Sequence, residues 1–134
     1  MKTAKTLITS LTLILLFSVS AMAQSDAKVL GVINRADWCP VCEENGERAM
    51  KTFKTNNKDG SIKFIINDLT DVTTKEKSAK KLKKYELYKK MKENTSTGVV
   101  FFFDAESKEL IDKISVKKSS KELAKAMSSA KKDA

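Results

Sequence analysis

The sequence has 134 residues, with 26 basic and 17 acidic side chains, no histidine, two cysteines and a formal net charge of +9. A structural zinc site needs four Cys or His ligands, so the chain cannot build one within a monomer. Covalent haem attachment is also excluded, because Glu43 rather than histidine follows the second cysteine.

The first 23 residues have the pattern of a secretory signal. Lys2 and Lys5 precede an apolar run over residues 7–19, and residues 21–23 offer the small side chains that a signal peptidase reads. A membrane span needs about 20 apolar residues, and this run is shorter. No cysteine follows it to carry a lipid anchor. We therefore predict a cleaved signal peptide over residues 1–23.

The remaining chain, residues 24–134, is predicted to be one domain of 111 residues, enough to bury a core without cross-links. Without Lys2 and Lys5 it has 24 basic against 17 acidic residues, a net charge of +7. The lysines are mixed with glutamates along helical faces, which indicates a solvated surface and no nucleic-acid site. We expect a periplasmic or secreted monomer without membrane contact after cleavage. An uncleaved membrane anchor is the alternative.

The first half of the domain predicts a strand, a helix and a second strand. Residues 29–33 are apolar at nearly every position, as in a central strand covered on both faces. Pro40 suits the first helical position, and residues 56–60 supply the helix stop. Residues 62–66 read as the next strand. The inner face of the helix is predicted to hold Cys42, Gly46, Ala49, Met50 and Phe53.

A Lys-rich helix comes next in the sequence. Thr73 and Glu76 have the spacing of a capping box, which predicts where this helix starts. Its apolar residues do not stay on one face at 3.6 residues per turn. A bend or break near Tyr85 and Glu86 would reconcile them.

The last part of the chain predicts a hairpin and a helix. Residues 99–103 form the most hydrophobic strand, residues 104–108 its loop, and residues 110–116 an alternating outer strand. Ser119 and Glu122 form another capping box. The outer strand is predicted to place Leu110, Ile114 and Val116 on one face and Ile111, Lys113 and Ser115 on the other; the helix has an inner stripe of Leu123, Met127 and Ala130.

The element order is therefore β-α-β-α-β-β-α, which predicts an α/β domain with a central mixed four-stranded sheet flanked by helices. A right-handed crossover makes the first two strands parallel, and the hairpin extends the sheet in the antiparallel sense. The segment between the first strand and the first helix carries the chemistry. It reads Trp38-Cys39-Pro40-Val41-Cys42. A reversible disulfide suits this spacing, because so short a bridge removes little unfolded-state entropy.

With this motif and this element order, residues 29–127 resemble the thioredoxin superfamily, in which tryptophan directly precedes the first cysteine of the pair. The resemblance implies a thioredoxin-like fold and an exported thiol-disulfide oxidoreductase. Its partners would be protein thiols or disulfides and an unidentified redox protein. No cofactor and no bound metal are expected.

The two sulfurs are predicted to have different roles. Cys39, at the amino end of a helix, lies where unpaired N–H groups and the helix dipole lower a thiol pKa from about 8.5, so it is the predicted attacking nucleophile. Cys42 faces inward and is the predicted resolving thiol. Among the supporting residues, Arg35 favours the thiolate and Asp37 opposes it. Trp38 and Pro40 complete the predicted site.

Two positions depart from the family pattern. Thioredoxin-like proteins have a cis-proline before the strand that faces the active site, but Pro40 is the only proline here, so Thr97 or Gly98 takes that place. A trans connection is expected, because a non-proline cis bond costs about 2.5–4 kcal/mol. Ile33 replaces the buried acid found six residues ahead of the first cysteine in thioredoxins.

These departures keep two alternatives open. The first is a thioredoxin-like binding module with little redox activity, in which the basic helix or the phenylalanine-rich strand serves a partner. The second is a Cu(I)-handling protein, since soft thiolate ligands suit Cu(I) and export suits copper trafficking.

Overall fold

A computed structural model describes residues 27–134 of the chain; the predicted signal peptide over residues 1–23 lies outside the described residues. The elements are β1 Val29–Arg35, α1 Pro40–Thr55, β2 Ile62–Asp68, α2 Val72–Lys84, α3 Tyr88–Met91, β3 Val99–Asp104, β4 Leu110–Ser115 and α4 Ser120–Asp133. Within residues 27–134, no helix has both the length and the apolar character that crossing a bilayer requires.

The four strands form one mixed sheet in the order β2-β1-β3-β4. Strand β1 runs parallel to β2 and antiparallel to β3, and β4 pairs with β3 in the antiparallel sense. The predicted α/β class with a central mixed four-stranded sheet is confirmed. The site segment leaves the carboxyl end of β1, one of the two central strands.

Helices cover both faces of the sheet, so side chains alternate between two cores along β1. Val29 and Ile33 belong to a core that includes residues of α1 and α4. Leu30 and Val32 belong to the opposite core, with residues of α2 and α3. This double coverage explains why the strand is apolar at nearly every position.

The start of α2 differs from the prediction, which placed a capping box at Thr73 and Glu76. The cap is Asp71, whose carboxylate accepts the N–H of Thr74 at 2.8 Å, and the Thr74 hydroxyl accepts the N–H of Asp71 at 3.0 Å. The Thr74 hydroxyl accepts the N–H of the cap residue, as a glutamate carboxylate does in the predicted box. The helix therefore begins at Val72, earlier than predicted. The predicted break is confirmed, because α2 ends at Lys84 and Glu86 has a φ of 60°.

The faces of β4 also differ from the prediction. Leu110 is half exposed, whereas Ile111 packs together with Ile114 against the α1 and α4 core. The reason is a bulge: Phe102 pairs with Asp112 but Phe103 pairs with Leu110, so one extra residue of β4 interrupts the alternation.

Two helix faces were predicted with different success. In α4 the Ser119 and Glu122 capping box and the inner stripe of Leu123, Met127 and Ala130 are confirmed. In α1, Ala49 and Phe53 are buried as predicted, but Met50 is 45% exposed.

Candidate active site

The two cysteines of the motif form a disulfide at the amino end of α1. Cys39 is the N-cap of the helix and Cys42 is its third residue, and their Cα atoms are 5.2 Å apart. Pro40 occupies the first turn, where its missing N–H leaves no gap in the hydrogen bonding. The Cys39 sulfur accepts the backbone N–H of Cys42 at 3.2 Å. The capping geometry would therefore also favour a thiolate at Cys39 once the bridge opens.

The accessibilities of the two cysteines are the reverse of those predicted. Cys39 is buried, with 3% of its surface exposed, whereas Cys42 is half-buried. The N-cap side chain folds back over the first helical turn and is covered there. Cys42, three residues further along the chain, lines an opening beside the helix. The expectation of an outer Cys39 and an inner Cys42 is wrong for the disulfide form.

The opening beside Cys42 is a cleft of about 380 Å³ between α1 and the carboxyl end of β1. Gly46, one turn after Cys42, lies in its wall, and a Cβ atom built on Gly46 would have nothing within 4 Å. Ile33 and Ile66 contribute apolar wall on the sheet side. Ile33 is thus part of an apolar surface next to Cys42.

The predicted supporting residue Arg35 is held by two carboxylates. Its Nη1 donates to Asp68 at 2.6 Å and its Nη2 donates to Asp37 at 2.5 Å. The hydrogen bond to Asp37 raises the pKa of Arg35. Burial lowers this pKa, and the charge of Asp68 raises it further. Because one cation faces two anions, Arg35 does not leave a net positive charge beside the sulfurs.

Asp68 and Thr70, after β2, are site residues that the sequence reading missed. Burial alone would raise the pKa of Asp68, but hydrogen bonds from the Thr70 hydroxyl and N–H, together with the charge of Arg35, lower it below its usual value. The Thr70 hydroxyl accepts the N–H of Asp37 at 3.0 Å, and the Thr70 carbonyl accepts the indole N–H of Trp38 at 3.0 Å. The loop after β2 therefore orders the segment that carries the motif.

Thr97 and Gly98 lie on the other side of the motif. Among the described residues no peptide bond is cis, so the trans connection is confirmed, and Gly98 has a φ of +73°. Its N–H donates to the Asn34 carbonyl at 2.8 Å, and its own carbonyl accepts the N–H of Val116 at 2.8 Å. Thr97 is half-buried beside it. The left-handed backbone of Gly98 brings the loop before β3 close to the motif.

Asn34, near the end of β1, is a third residue that the sequence reading missed. It is fully buried, accepts the side-chain N–H of Asn67 at 2.8 Å, and donates to the carbonyls of Asn94 at 2.7 Å and Ser96 at 3.1 Å. The amide thereby ties the loop before β3 to the sheet. An asparagine directly after an apolar strand was the available signal.

The described part of the chain offers no ready metal centre. Within residues 27–134, no group of three or more Cys, Asp or Glu side chains could hold a metal ion. Both cysteine sulfurs are in the disulfide. The site as it stands is a disulfide between two structured loops.

Comparison with known proteins adds a structural likeness to these observations. No protein-family model and no curated protein sequence matches the chain. The crystal structure of Trxlp from Edwardsiella tarda EIB202 is similar to it with a TM-score of 0.48 and 16% sequence identity, covering 78% of this chain and 85% of that one.

Proposed function

We propose that the protein is an exported thiol-disulfide oxidoreductase that exchanges electrons with protein cysteines through the Cys39–Cys42 disulfide. The observation that supports this most directly is the position of the bridge. It closes a very short loop at a helix amino end, with the Cys39 sulfur accepting the N–H of Cys42. A bridge over so few residues stabilises the fold less than a long-range one.

The proposed reaction is ordinary thiol-disulfide exchange. A substrate thiolate attacks one sulfur of the bridge, a mixed disulfide forms, and the other protein sulfur leaves as a thiolate. A second substrate thiolate then attacks the substrate sulfur and releases the protein dithiol. The substrate loses two electrons and the protein gains them; the reverse sequence reduces a substrate disulfide.

The direction of electron flow depends on the reduction potential of the pair. The amino end of α1 stabilises a Cys39 thiolate and hence the reduced form, which makes a dithiol pair more oxidising. Asp37 and Asp68 act in the opposite sense, since they balance the charge of Arg35 with an excess of negative charge. The reduction potential of the pair therefore reflects the balance between these two opposing effects.

Equilibration with glutathione buffers of graded potential, followed by alkylation and mass measurement, gives that potential. Turnover is tested by insulin reduction with wild type, Cys39→Ser and Cys42→Ser. We expect a reversible two-electron transition and catalysis that both substitutions abolish. Wild-type turnover no higher than that of Cys39→Ser would contradict the proposal and favour a binding module with a dispensable bridge.

Export is the other half of the proposal and rests on the sequence of residues 1–23. The mature protein recovered from the native host should begin at Gln24, which amino-terminal sequencing would read directly. A chain that retains Met1 in the cytosolic fraction would contradict it.

A further inference from the structure

A second cleft lies on the other face of the sheet, between α2, α3 and the carboxyl end of β2, and has a volume of about 350 Å³. Leu82 and Met91 in its wall belong to the core under α2 and α3, whereas the cleft beside Cys42 opens from the core under α1 and α4. Its rim holds Val72, which at 71% exposure is the most exposed large hydrophobic side chain of the described residues. An apolar opening of this kind can accept an apolar side chain from a partner.

The surface around this cleft holds the net charge of the molecule. Residues 72–92 contain nine lysines and two glutamates, a net charge of +7. The other residues between 24 and 134 contain 15 basic and 15 acidic side chains, so together they are neutral. The sequence reading expected lysines and glutamates to be mixed along the helices, and this does not hold for residues 72–92. We call the nine lysines of this segment the basic surface.

The basic surface is not neutralised within the protein. All nine lysines are exposed. The cations of the ion pairs within residues 27–134 are Arg35 and Lys131, so none of these pairs includes a lysine of the basic surface. Lys75 and Lys92 line the cleft itself, where Glu76 is the one acidic residue of the lining. Charges of one sign without internal partners attract a partner of the opposite sign.

Asn67 adds a third feature, an amide oxygen that accepts no hydrogen bond. The residue is 4% exposed and lines the cleft, and its side-chain N–H donates to the Asn34 side chain at 2.8 Å. None of the described residues donates to its Oδ1 atom. Since no fully buried side-chain oxygen of residues 27–134 lacks a partner, this atom is accessible, and the cleft is the opening that Asn67 lines. A ligand with a peptide N–H can donate to it.

We propose that this cleft and the basic surface bind an acidic segment of a partner polypeptide. One apolar side chain of the segment fills the cleft beside Val72, a backbone N–H donates to the Asn67 Oδ1 atom, and the flanking carboxylates pair with Lys75 and Lys92. This inference goes beyond the proposed oxidoreductase function, since it uses the other face of the sheet and involves no sulfur.

A polypeptide fits these three features better than other polyanions do. A single-stranded nucleic acid would need exposed aromatic rings on which its bases stack. The two tyrosines of the segment are half-buried and covered by lysines: Lys83 Nζ is 4.9 Å from the centre of the Tyr88 ring, and Lys84 Nζ is 5.8 Å from that of Tyr85. An anionic membrane would meet the lysines but has no single side chain for the cleft and no peptide N–H for Asn67.

The binding test uses the acetylated peptide amide Gly-Glu-Asp-Glu-Leu-Glu-Asp-Glu-Gly, the same peptide with serine in place of leucine, and the leucine peptide with every acid replaced by its amide. Amide signals of the ¹⁵N-labelled protein are followed by NMR. We expect the leucine peptide to bind on the order of tenfold more tightly than the serine peptide, because partial burial of a leucine side chain contributes about that factor. The uncharged peptide should bind about tenfold more weakly at low salt, and this difference should shrink as salt is added.

Charge-reversal variants locate the site. Lys75→Glu combined with Lys92→Glu should weaken binding of the leucine peptide on the order of tenfold. Lys121→Glu combined with Lys125→Glu changes the net charge equally at exposed positions of α4 and is the matched control, which should stay within about threefold of wild type. If the first double variant fails to fold by circular dichroism, glutamine at the same four positions makes the same comparison with a smaller effect.

A second pair of variants tests the cleft. Val72→Ser removes the apolar side chain at its rim and should reduce the preference for the leucine peptide to about threefold or less. Leu110→Ser removes an exposed apolar side chain of β4 outside the cleft and should leave the preference unchanged.

The proposal fails under any of three results. Equal affinities for the leucine and serine peptides would mean that the cleft takes no side chain. Equal losses in the two charge-reversal variants would mean that net charge alone attracts the peptide. Absence of peptide binding would also overturn it, and binding of phosphatidylglycerol vesicles or a single-stranded oligonucleotide through Lys75 and Lys92 would then assign the basic surface to another class of partner. None of these results bears on the oxidoreductase function, because the peptides contain no cysteine and the disulfide stays closed.

Discussion

Gly98 and Val41 are in close contact across the candidate site, since a Cβ atom on residue 98 would lie 3.0 Å from the Val41 Cγ1 atom. Gly98 has a φ of +73°, a region in which other residues are strained. The contact joins the loop before β3 to the residue between the two cysteines. Any side chain at position 98 therefore meets both a backbone penalty and a steric one.

Gly98→Ala should lower the free energy of unfolding by more than the roughly 1–2 kcal/mol that the left-handed backbone alone costs. Gly60→Ala is a matched control, because Gly60 has a φ of +68° but no atom within 4 Å of an added Cβ. Urea unfolding gives both values. Combining Gly98→Ala with Val41→Ala should recover the excess, and equal losses in the two glycine variants would contradict the contact.

The Arg35–Asp68 pair predicts opposite effects of two substitutions on thiol reactivity. Arg35→Ala leaves Asp37 and Asp68 uncompensated beside the cleft, so it should slow iodoacetamide labelling of Cys42 at neutral pH. Asp68→Asn removes one anion and should accelerate labelling. Each change should be roughly threefold, since these groups are partly exposed and screened.

The labelling is measured in Cys39→Ser protein, so that only Cys42 reacts. Asp59→Asn is the control, because Asp59 pairs with Lys131 away from the cleft and should leave the rate unchanged. A change of the same sign in both Arg35→Ala and Asp68→Asn would show that the charges do not act as described.

The buried Asn34 predicts a large effect on stability. Asn34→Ala would remove the partners of the Asn67 amide and of the Asn94 and Ser96 carbonyls. Since the buried Asn67 amide would lose its partner, while residues 94 and 96 are exposed, we expect a loss of about 1–3 kcal/mol in the free energy of unfolding. Asn67→Ala removes one of these hydrogen bonds and should cost less. Urea titration compares them; equal costs would mean that the bonds to residues 94 and 96 add little.

Acid should destabilise the protein through its hydrogen-bonded carboxylates. Hydrogen bonds from the Ser61 hydroxyl and N–H, and then from Lys131, lower the pKa of Asp59 from 3.8 to about 2. The N–H and hydroxyl of Ser119 lower the pKa of Glu122 in the same direction. A carboxyl with a depressed folded-state pKa contributes stability that is present above its unfolded pKa and is lost as the pH falls through the folded value.

Stability should therefore be nearly constant with respect to these groups above about pH 5 and fall between about pH 4 and pH 2. Urea midpoints measured at fixed ionic strength over that range test this. Asp59→Asn should show a shallower acid loss than wild type. An identical pH profile would contradict the contribution of Asp59.

The strands and most helix ends could be predicted because they depend on local pattern. Residues 29–33 and 99–103 are apolar because helices cover both faces of the sheet, and the Ser119 cap is readable within four residues. The bulge opposite Phe103 could not be foreseen, since it depends on the register between two strands.

In the candidate site, too, the features that depend on local pattern could be predicted and those that depend on distant contacts could not. The position of Cys39 at a helix start follows from the motif and Pro40, but which sulfur is exposed depends on what surrounds them in three dimensions. The cleft beside Cys42 exists because Gly46 has no side chain and because Ile33 and Ile66 lie opposite. The roles of Asp68 and Thr70 arise from a loop about 30 residues away in sequence.

Trp38 is the single tryptophan of the chain, it is 60% exposed, and its indole N–H donates to the Thr70 carbonyl next to the disulfide. Its fluorescence emission therefore comes from a single position in the sequence, directly before Cys39. A change in intensity on reduction, or a shift in wavelength when the loop after β2 moves, can be followed without any added label. The chain therefore contains an intrinsic fluorescence probe for following reduction of the Cys39–Cys42 disulfide.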